Sequence, residues 1–479
     1  MVRNVKILNP NIIWILVFSF LLSFSTPATT PAMTIEEERE LGEKILQEVK
    51  KRWPLSEDNS INTYATRVGR RILQAVGPQP FEYQFFVLNS PEINAFAVPG
   101  GKVFLNSGLI LLVDREDELA SVVAHEIGHV TARHISKRSE KATSLSLATL
   151  GALLLSIFLG GKAASAVATT TMAAGQTVML KYSREDEDEA DRLGLKYLEQ
   201  AGYDRRAMIS MFKKLRRTYG PASSDPPGYL MSHPAAEDRA ENIELQIYKS
   251  PEQMKPLPPV GNLKRVQTKL RLEDKDSAGV VTYFENWVKR QPNEADAYFG
   301  LGLAQRQMGA LGRAVESFNQ ALSLAPTDGE ILRELGLTLF LQGNFSESQK
   351  YLEEASRAFP NDGMIYLNLG RVYFEEKAYQ LSVSSFLRAK ELLPHLPEIY
   401  YHLGRAYGAI DQLGPAYQNF GQYYKFLGDG RIAIGHFQKA LTYYDETAPE
   451  RRVIQREIND LDAAQRAPRK MNKPPGSNK

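Results

Sequence analysis

The sequence predicts a chain of two parts, an α+β and mainly helical domain followed by an all-α superhelix of paired helices. Before a Pro-rich stretch at residues 251–259, strand-like and helical patterns alternate, which is typical of an α+β domain. After that stretch, the same residue types return at a fixed spacing, which is typical of stacked helical repeats. With 479 residues, the chain is also too long for one ordinary hydrophobic core.

The composition excludes several classes of function. Hydrophobic residues make up 43% of the chain and charged residues 24%, as in globular proteins. A formal net charge of +2 gives no concentrated basic surface, so we expect no nucleic-acid partner. The chain has no cysteine, which removes disulfides, thiolate catalysis and cysteine-ligated zinc and is compatible with an oxidising compartment.

Residues 1–32 have the pattern of a secretory signal peptide. Arg3 and Lys6 precede an apolar run at residues 12–24, which is followed by small residues up to Ala32. A basic start, a short apolar core and a small-residue exit are typical of a segment cleaved during export. An uncleaved membrane anchor is the alternative. We therefore predict secretion across an inner membrane, with a signal peptide or an anchor at residues 1–32.

In the first part of the chain, the segment from Asp114 carries the motif His-Glu-Ile-Gly-His. We expect a helix there, with Asp114 as its cap and Asp117 reaching back to it. His125 and His129 are four residues apart and share a helix face, where both imidazoles can bind one zinc ion. Glu126 can then take a proton from zinc-bound water. A buried amphipathic helix with two incidental histidines is the alternative.

A catalytic zinc takes three protein ligands and keeps one position for water, so a third ligand is expected further along the chain. An acidic segment begins a second helix, with Ser183 and Asp186 as a capping box. Glu187 and Asp191 lie one turn apart on this helix. That spacing suits one metal ligand and one carboxylate that accepts a hydrogen bond from a ligand histidine. The alternative is a solvated acidic stripe, in which neighbouring glutamates would compete as ligands.

Four elements then stand in one order along the chain. They are the segment Asn94–Phe104, the His-Glu-Ile-Gly-His motif, the Glu-x-x-x-Asp pair, and His233-Pro234 followed by Arg239. Together they resemble the gluzincin family of zinc metallopeptidases, which includes the HtpX membrane protease and the CAAX prenyl protease. The resemblance implies a peptidase domain over residues 33–250 with one Zn²⁺ per chain. It implies His125, His129 and Glu187 as ligands, Glu126 as the base and Asp191 behind the ligands.

The segment after residue 92 is expected to form a hairpin beside the active-site helix. Residues 93–98 and 102–105 are predicted strands around a Pro-Gly-Gly turn. An edge strand in this place can pair with the backbone of an extended substrate. The residues that would contact substrate are Asn94, Ala95, Phe96 and Ala97. An ordinary sheet strand is the alternative.

The late family element leaves two roles open. His233 could stabilise an oxyanion, or it could occupy the open zinc position and silence the enzyme. Arg239 could hold substrate or brace its loop. We group both with Glu126 as catalytic residues. His134, five residues after His129, is expected to be structural because it is turned away from the ligand face.

Residues 142–161 are uncharged and long enough for a transmembrane helix. His129 and Glu187 must reach the same zinc, so the chain between them crosses a membrane twice or not at all. The other candidate span, residues 163–180, is rich in Ala, Thr and Gly and is a poor membrane helix. We therefore predict no crossing, with residues 142–161 covering the site or making a peripheral membrane contact.

The second part of the chain repeats every 34 residues. The prolines in register are Pro292, Pro326, Pro360 and Pro394, and the glycines are Gly302, Gly336, Gly370 and Gly404. Small residues let paired helices approach closely, aromatic side chains fill the space between them, and proline ends each second helix. The pattern resembles the tetratricopeptide repeat, which implies a solenoid with a protein-binding surface. We assign the repeats to residues 270–446, a Pro-rich linker to residues 251–269, and a C-terminal helix with a basic disordered tail to residues 447–479.

The combined interpretation is a zinc-dependent endopeptidase that hydrolyses protein substrates, with the repeats binding a substrate or a partner complex. Within the family, the addition of C-terminal repeats resembles a periplasmic member. This resemblance implies envelope or outer-membrane protein quality control in the periplasm. A chaperone or adaptor with a latent protease domain is the alternative.

Overall fold

The computed structural model describes residues 33–56, 58–139, 150, 151, 154, 182–219, 228–233, 236–249, 257–273 and 276–466. The predicted signal segment, most of residues 142–161 and the tail after residue 466 lie outside the described residues. The chain divides into two units after Glu273. The described helices include none that is both long and apolar enough for a membrane span.

The first unit is built from ten described helices and one small sheet. The helices are α1 (Ile35–Arg52), α2 (Asn59–Val76), α3 (Ser107–Leu112), α4 (Glu116–Thr131), α5 (His134–Ser139), α6 (Arg184–Gln200), α7 (Arg206–Tyr219), α8 (Gly228–Ser232), α9 (Ala236–Lys249) and α10 (Leu263–Leu272). The strands are β1 (Gln84–Leu88), β2 (Ala95–Val98) and β3 (Lys102–Asn106). This arrangement confirms the predicted α+β and mainly helical class.

The three strands form a sheet with β3 at its centre. β1 runs parallel to β3, and β2 pairs antiparallel with β3 in the predicted hairpin. Gly100 and Gly101 in the turn have φ angles of 79° and 78°, which glycine adopts without strain. A Cβ atom on Gly100 would lie 2.8 Å from the carbonyl oxygen of Glu38, so the turn also packs closely on α1. β2 is therefore an edge strand of the described sheet.

Helix α4 begins differently from the prediction. Its first residue is Glu116, and the residue before it makes no side-chain cap. The Glu118 carboxylate accepts a hydrogen bond from the backbone N–H of Asp114 at 2.8 Å, in the place expected for Asp117. The Asp114 carboxylate instead forms an ion pair with Lys214 of α7 at 2.6 Å. The predicted Asp114–Asp117 cap is wrong, because a cation from a distant helix competes for Asp114.

The second predicted helix start is confirmed. Ser183 and Asp186 form a reciprocal capping box at the start of α6. Beyond the end of α6, Gly202 has a φ of 74°, which is typical of a residue that terminates a helix. The start and end of α6 follow from local sequence alone.

Helices α4 and α6 approach each other closely through two glycines. A Cβ on Gly128 of α4 would lie 2.9 Å from the carbonyl oxygen of Ala190. A Cβ on Gly194 of α6 would lie 3.3 Å from the backbone nitrogen of His125. These contacts hold the two predicted metal-binding helices side by side.

Part of the segment predicted as a linker belongs to the first unit. Helix α10 overlaps residues 251–269, and its Leu263, Val266 and Leu270 are buried in the main core of this unit. The segment predicted as a linker is thus partly an ordered, apolar helix. Its apolar residues are spaced for one helix face, which the neighbouring prolines obscured.

Residues 142–161 are described at three positions only. Leu150 and Leu154 are buried in a cluster that includes Leu41 and Ile45 of α1. The prediction for the rest of this segment lies outside the described residues.

The second unit is a series of paired helices. They are α11 (Ser277–Arg290), α12 (Ala295–Gln307), α13 (Leu311–Leu324), α14 (Gly329–Leu341), α15 (Phe345–Ala358), α16 (Gly363–Glu375), α17 (Tyr379–Leu392), α18 (Pro397–Ala409), α19 (Leu413–Phe426), α20 (Gly430–Leu441) and α21 (Pro449–Arg466). The in-register glycines lie on the first helices of the pairs, against a large side chain of the second helix. At Gly370, for example, an added Cβ would lie 2.5 Å from the ring of Phe386. The predicted repeat fold is confirmed.

Replacing Phe386 tests this packing. The ring is fully buried between α16 and α17, so Phe386→Ala leaves a cavity and should lower the free energy of unfolding of the repeat unit by about 3–5 kcal/mol. Urea titration followed by circular dichroism measures the change. Leu387→Ala is the matched control on the same helix, because Leu387 is 38% exposed. Equal losses for both variants would contradict the packing assignment.

Candidate metal centre

The predicted ligand atoms converge on one point between α4 and α6. His125 Nε2 lies 3.0 Å from His129 Nε2 and 3.4 Å from Glu187 Oε2. His129 Nε2 lies 3.5 Å from Glu187 Oε1. His233, which follows α8, joins them: its Nδ1 is 3.0 Å from Glu187 Oε1 and 3.3 Å from His125 Nε2. Four candidate ligands therefore surround one position.

The geometry of this group fits a zinc ion. Ligand atoms at about 2.0–2.1 Å from a tetrahedral zinc are about 3.3 Å from one another, and the measured separations run from 3.0 to 3.5 Å. All four side chains are at most 2% exposed. So many acceptor atoms, packed together away from water, need a cation between them. The three residues predicted as ligands thus lie together, with His233 as a fourth.

Behind the ligands, Asp191 and Arg239 form a buried ion pair. Asp191 Oδ1 lies 2.9 Å from His125 Nδ1, on the side of the ring away from the ligand position. Arg239 of α9 donates from Nε to Asp191 Oδ2 at 2.7 Å, and its Nη1 lies 2.5 Å from Glu187 Oε2. Asp191 thus lies where the sequence predicts it. Arg239 is 2% exposed and engaged by both carboxylates, which favours the bracing role over contact with substrate.

These contacts shift the ionisation of the site. Burial alone would lower the pKa of His125, but its hydrogen bonds to the Asp191 and Glu187 carboxylates raise that pKa to about 9. Burial would raise the pKa of Asp191, yet the Arg239 guanidinium lowers it to about 2. The pKa of Glu187 is held well below its usual value against burial, mainly by the charges of His233 and Arg239. The surroundings therefore keep both carboxylates ionised and favour a positive charge at the ligand position.

Glu126 lies beside this group without a firm partner. The side chain is fully buried, and burial raises the pKa of its carboxyl. Among the described residues, neither carboxylate oxygen meets hydrogen-bond geometry. His233 Nε2 lies 3.3 Å from Glu126 Oε1, and the backbone N–H of Ala97 in β2 also stabilises the carboxylate. A buried carboxylate with free acceptor capacity next to a metal position suits a proton acceptor.

The predicted substrate strand is close to the catalytic base but covered. Asn94, Ala95, Phe96 and Ala97 are each 0% exposed. Because Ala97 contacts Glu126, β2 runs beside the site. A substrate could pair with this edge only after a rearrangement.

Two tyrosines that the sequence analysis did not select line the site. Tyr182 stacks on the ring of His129 with centroids 3.7 Å apart. Tyr229 stacks on His233 at 4.6 Å, and Tyr182 lies 5.3 Å from the other side of His233. His233 is thus held between two aromatic rings. No local spacing links these tyrosines to the motif, so sequence reasoning had no signal for them.

His134 also has a place that its spacing did not reveal. Its Nδ1 lies 2.8 Å from Nδ1 of His129, and its Nε2 lies 3.2 Å from Oε2 of Glu189 on α6. His134 is 1% exposed and is absent from the ligand group. It therefore supports the orientation of a ligand ring from behind, which is a structural role as expected.

The comparisons with known proteins agree with this geometry. Residues 59–247 match peptidase family M48, and residues 263–329 and 333–397 match a tetratricopeptide repeat family. The chain thus contains a peptidase family M48 domain, the domain of a metalloendopeptidase, followed by tetratricopeptide repeats.

Particular relatives are similar to the first unit only. The chain is 38% identical over 210 residues to the putative beta-barrel assembly-enhancing protease of Vibrio cholerae serotype O1, and 35% identical over 212 residues to the beta-barrel assembly-enhancing protease of Escherichia coli K12. Each match covers 43% of this chain and 43% of the relative, which is less than half of either. It is also 30% identical over 181 residues to the mitochondrial metalloendopeptidase OMA1 of Schizosaccharomyces pombe, covering 38% of this chain and 51% of that protein.

The close contact between α4 and α6 can be tested without replacing any of the ligand residues. Gly128→Val inserts three carbon atoms where a single Cβ would already lie 2.9 Å from Ala190. The helices must then separate and move Glu187 away from the two histidines. We expect the affinity for zinc to fall by about 10- to 100-fold, as when the support of a ligand is lost. Titration of the purified apoprotein with zinc against a competing chelator measures it.

The control is Gly408→Val, at a helical glycine in α18 where an added Cβ would meet no atom within 4 Å. This variant carries the same cost of a β-branched residue in a helix. Wild-type zinc affinity in Gly128→Val would show that the approach of α4 to α6 does not set the site.

Proposed function

We propose that this protein is a zinc-dependent endopeptidase that hydrolyses peptide bonds of protein substrates. One observation supports this best. His125, His129, Glu187 and His233 form a buried group, and beside it lies the Glu126 carboxylate, for which no hydrogen-bond partner is found among the described residues. The match to peptidase family M48 assigns the same domain to metallopeptidases. We propose this activity, and protein substrates, for the whole chain.

When bound by His125, His129 and Glu187, zinc would acidify a water molecule and polarise the substrate carbonyl. Glu126 would act as the base that takes a proton from the attacking water and as the acid that returns it to the leaving amine. Asp191 fixes the ring of His125 by a hydrogen bond to Nδ1, and Arg239 holds Asp191 and Glu187 in place. The edge of β2 would bind an extended backbone beside Glu126 and align the bond to be cleaved.

The described arrangement corresponds to a latent form of this enzyme. His233 Nδ1 stands at the fourth corner of the ligand group, where a catalytic site needs water. His233 Nε2 also faces Glu126 at 3.3 Å, so one side chain blocks both the metal position and the base. This geometry favours the inhibitory role of His233 over stabilisation of an oxyanion. It also supports the alternative of a chaperone or adaptor whose protease is switched off.

The setting of the activity rests on resemblance and on the sequence of residues 1–32. We propose export across an inner membrane and action in the periplasm on envelope or outer-membrane proteins. The signal pattern of residues 1–32 and the names of two bacterial relatives support this setting. The tetratricopeptide repeats would bind substrate or a partner complex. A peripheral membrane contact through residues 142–161 remains part of the proposal.

Replacing the base tests the catalytic assignment. Glu126→Gln keeps the shape of the side chain but cannot accept a proton, so kcat for cleavage of an unfolded protein substrate should fall by about 10²- to 10⁴-fold. Zinc content measured by elemental analysis should stay stoichiometric. Glu185→Gln, which neutralises an exposed carboxylate on α6, is the control and should cleave normally. Full cleavage by zinc-loaded Glu126→Gln protein would refute the proposed mechanism.

Replacing His233 separates its two roles. If His233 inhibits, His233→Ala opens the fourth position and should raise the cleavage rate; relief of a closed state favoured by about 1.4 kcal/mol gives about a tenfold increase. An oxyanion role predicts the opposite, a fall in kcat. Initial rates on an unfolded protein substrate measure the direction, with His395→Ala in the repeats as the exposed-histidine control.

A further inference from the structure

Two arginines on the first helices of neighbouring repeats share a distinctive environment. Arg371 of α16 lies over the ring of Phe340 of α14, with its guanidinium carbon 4.5 Å from the centroid. Arg405 of α18 lies over the ring of Phe374 of α16 at 4.3 Å. Both the arginines and the rings are separated by 34 residues, one repeat. We call these two arginine–phenylalanine pairs the cationic ladder.

The cations of the ladder lack carboxylate partners. Among the described residues, neither Arg371 nor Arg405 forms an ion pair within 4.0 Å. Glu398 acts electrostatically on Arg371, but its ion pair is with His402 at 3.4 Å. Each guanidinium is half-buried on an aromatic ring, which fixes its position and leaves its edges free to donate hydrogen bonds.

Another arginine of the same solenoid has the opposite environment. Arg333 on α14 lies 2.8 Å from a Glu334 oxygen, is also paired with Glu330, and contacts Asp362. Glu334 is shared with Arg306 at 2.6 Å. That cluster is neutralised internally and stabilises the repeats. Arg371 and Arg405 have no such counterpart, so their charge is available to a ligand.

A buried amide completes the site. Asn368 of α16 is 3% exposed and accepts a weak hydrogen bond from Arg371 at 3.4 Å through Oδ1. Its Nδ2 has no acceptor among the described residues. Asn368 lies about 160° around the helix from Gly370, the residue that contacts the second helix of the pair, so it lies on the opposite side of α16. A buried donor without an acceptor favours a ligand that brings one, such as a peptide carbonyl.

We propose that the cationic ladder binds an acidic segment of a partner protein in an extended, polyproline-II-like conformation. Neighbouring packed helices are about 8–10 Å apart, so the two guanidiniums should be spaced about one helix apart. A polyproline II chain rises about 3.1 Å per residue with three residues per turn. Acidic residues at positions i and i+3 of such a chain then lie about 9 Å apart on one side. This is the spacing expected for the ladder, and the peptide backbone would then lie over Asn368.

The proposal deepens the binding role that the proposed function gives to the repeats, and rests on that role. It does not depend on cleavage. Binding to the ladder and hydrolysis are measured separately, so failure of one leaves the other standing.

The test uses the full-length chain and a labelled peptide with three Glu-Pro-Pro repeats and an amidated C-terminus. Fluorescence anisotropy should show binding that weakens with salt and is at least about fivefold tighter than that of the Gln-Pro-Pro peptide. A peptide with glutamates four residues apart should bind more weakly, because its carboxylates face different sides. Equal binding of the acidic and neutral peptides would overturn the proposal.

Variants place the binding on the ladder. Arg371→Gln and Arg405→Gln should each weaken binding of the acidic peptide by about fivefold. Arg388→Gln is the matched control, because Arg388 also lies over an aromatic ring, that of Tyr366. Unlike the ladder arginines, it is on the second helix of its pair and forms an ion pair with Glu391. Circular dichroism and thermal unfolding check that each variant folds. An unchanged affinity in both ladder variants, or an equal loss in Arg388→Gln, would refute the proposal.

Two further measurements test where the peptide binds and which of its carboxylates is recognised. Glu398→Gln removes an acid that acts on Arg371 and should tighten binding of the acidic peptide. An unchanged affinity would mean that the peptide binds away from Arg371 and would contradict the proposal. A Gln-Pro-Pro peptide with a free C-terminal carboxylate should bind no better than its amidated form. If only the free carboxylate bound, the ladder would recognise chain ends instead of acidic side chains.

Discussion

The metal centre depends on the close approach of two helices that are about sixty residues apart along the chain. Gly128 on α4 and Gly194 on α6 are points of contact: an added Cβ would lie 2.9 Å from backbone of the other helix at Gly128 and 3.3 Å at Gly194. Only at this distance can Glu187 of one helix reach His125 and His129 of the other. The ligands themselves do not set this distance. The packing of small residues sets the distance between the helices, and this distance lets the ligand side chains meet.

The second constraint is charge. The site buries three carboxylates, those of Glu126, Glu187 and Asp191, and one guanidinium, that of Arg239. In the protonation state that binds a metal, with neutral imidazoles and ionised carboxylates, these groups carry a formal charge of −2. A buried charge of this size is very unfavourable unless it is compensated. One Zn²⁺ would neutralise it, which is why the donor set and the charge balance point to the same ion.

Local pattern predicted much of this structure. The spacing of His125 and His129, the capping box at Ser183 and the repeat period all depend on residues close in sequence or regular along it. The parts that were missed depend on contacts between distant segments. Lys214 displaced the Asp114 cap, and the stacking of Tyr182 and Tyr229 around His233 follows from no spacing in the chain. The sequence left open whether Arg239 holds substrate or braces its loop, because its ion pairs with Asp191 and Glu187 join distant segments.

Because the site is closed and β2 is covered, the proposed enzyme would not cleave every protein that it meets. In the proposed enzyme, substrate would have to displace His233 and uncover β2 before Glu126 and the strand could act together. A ligand shifts such an equilibrium only as far as it prefers the open form, so a weakly bound segment would leave the site closed. Repeats that hold a partner by its acidic segment would raise the effective concentration of attached polypeptide at the peptidase domain. Selection would then lie in which proteins are retained long enough to open the site, and backbone pairing at β2 would add little sequence preference.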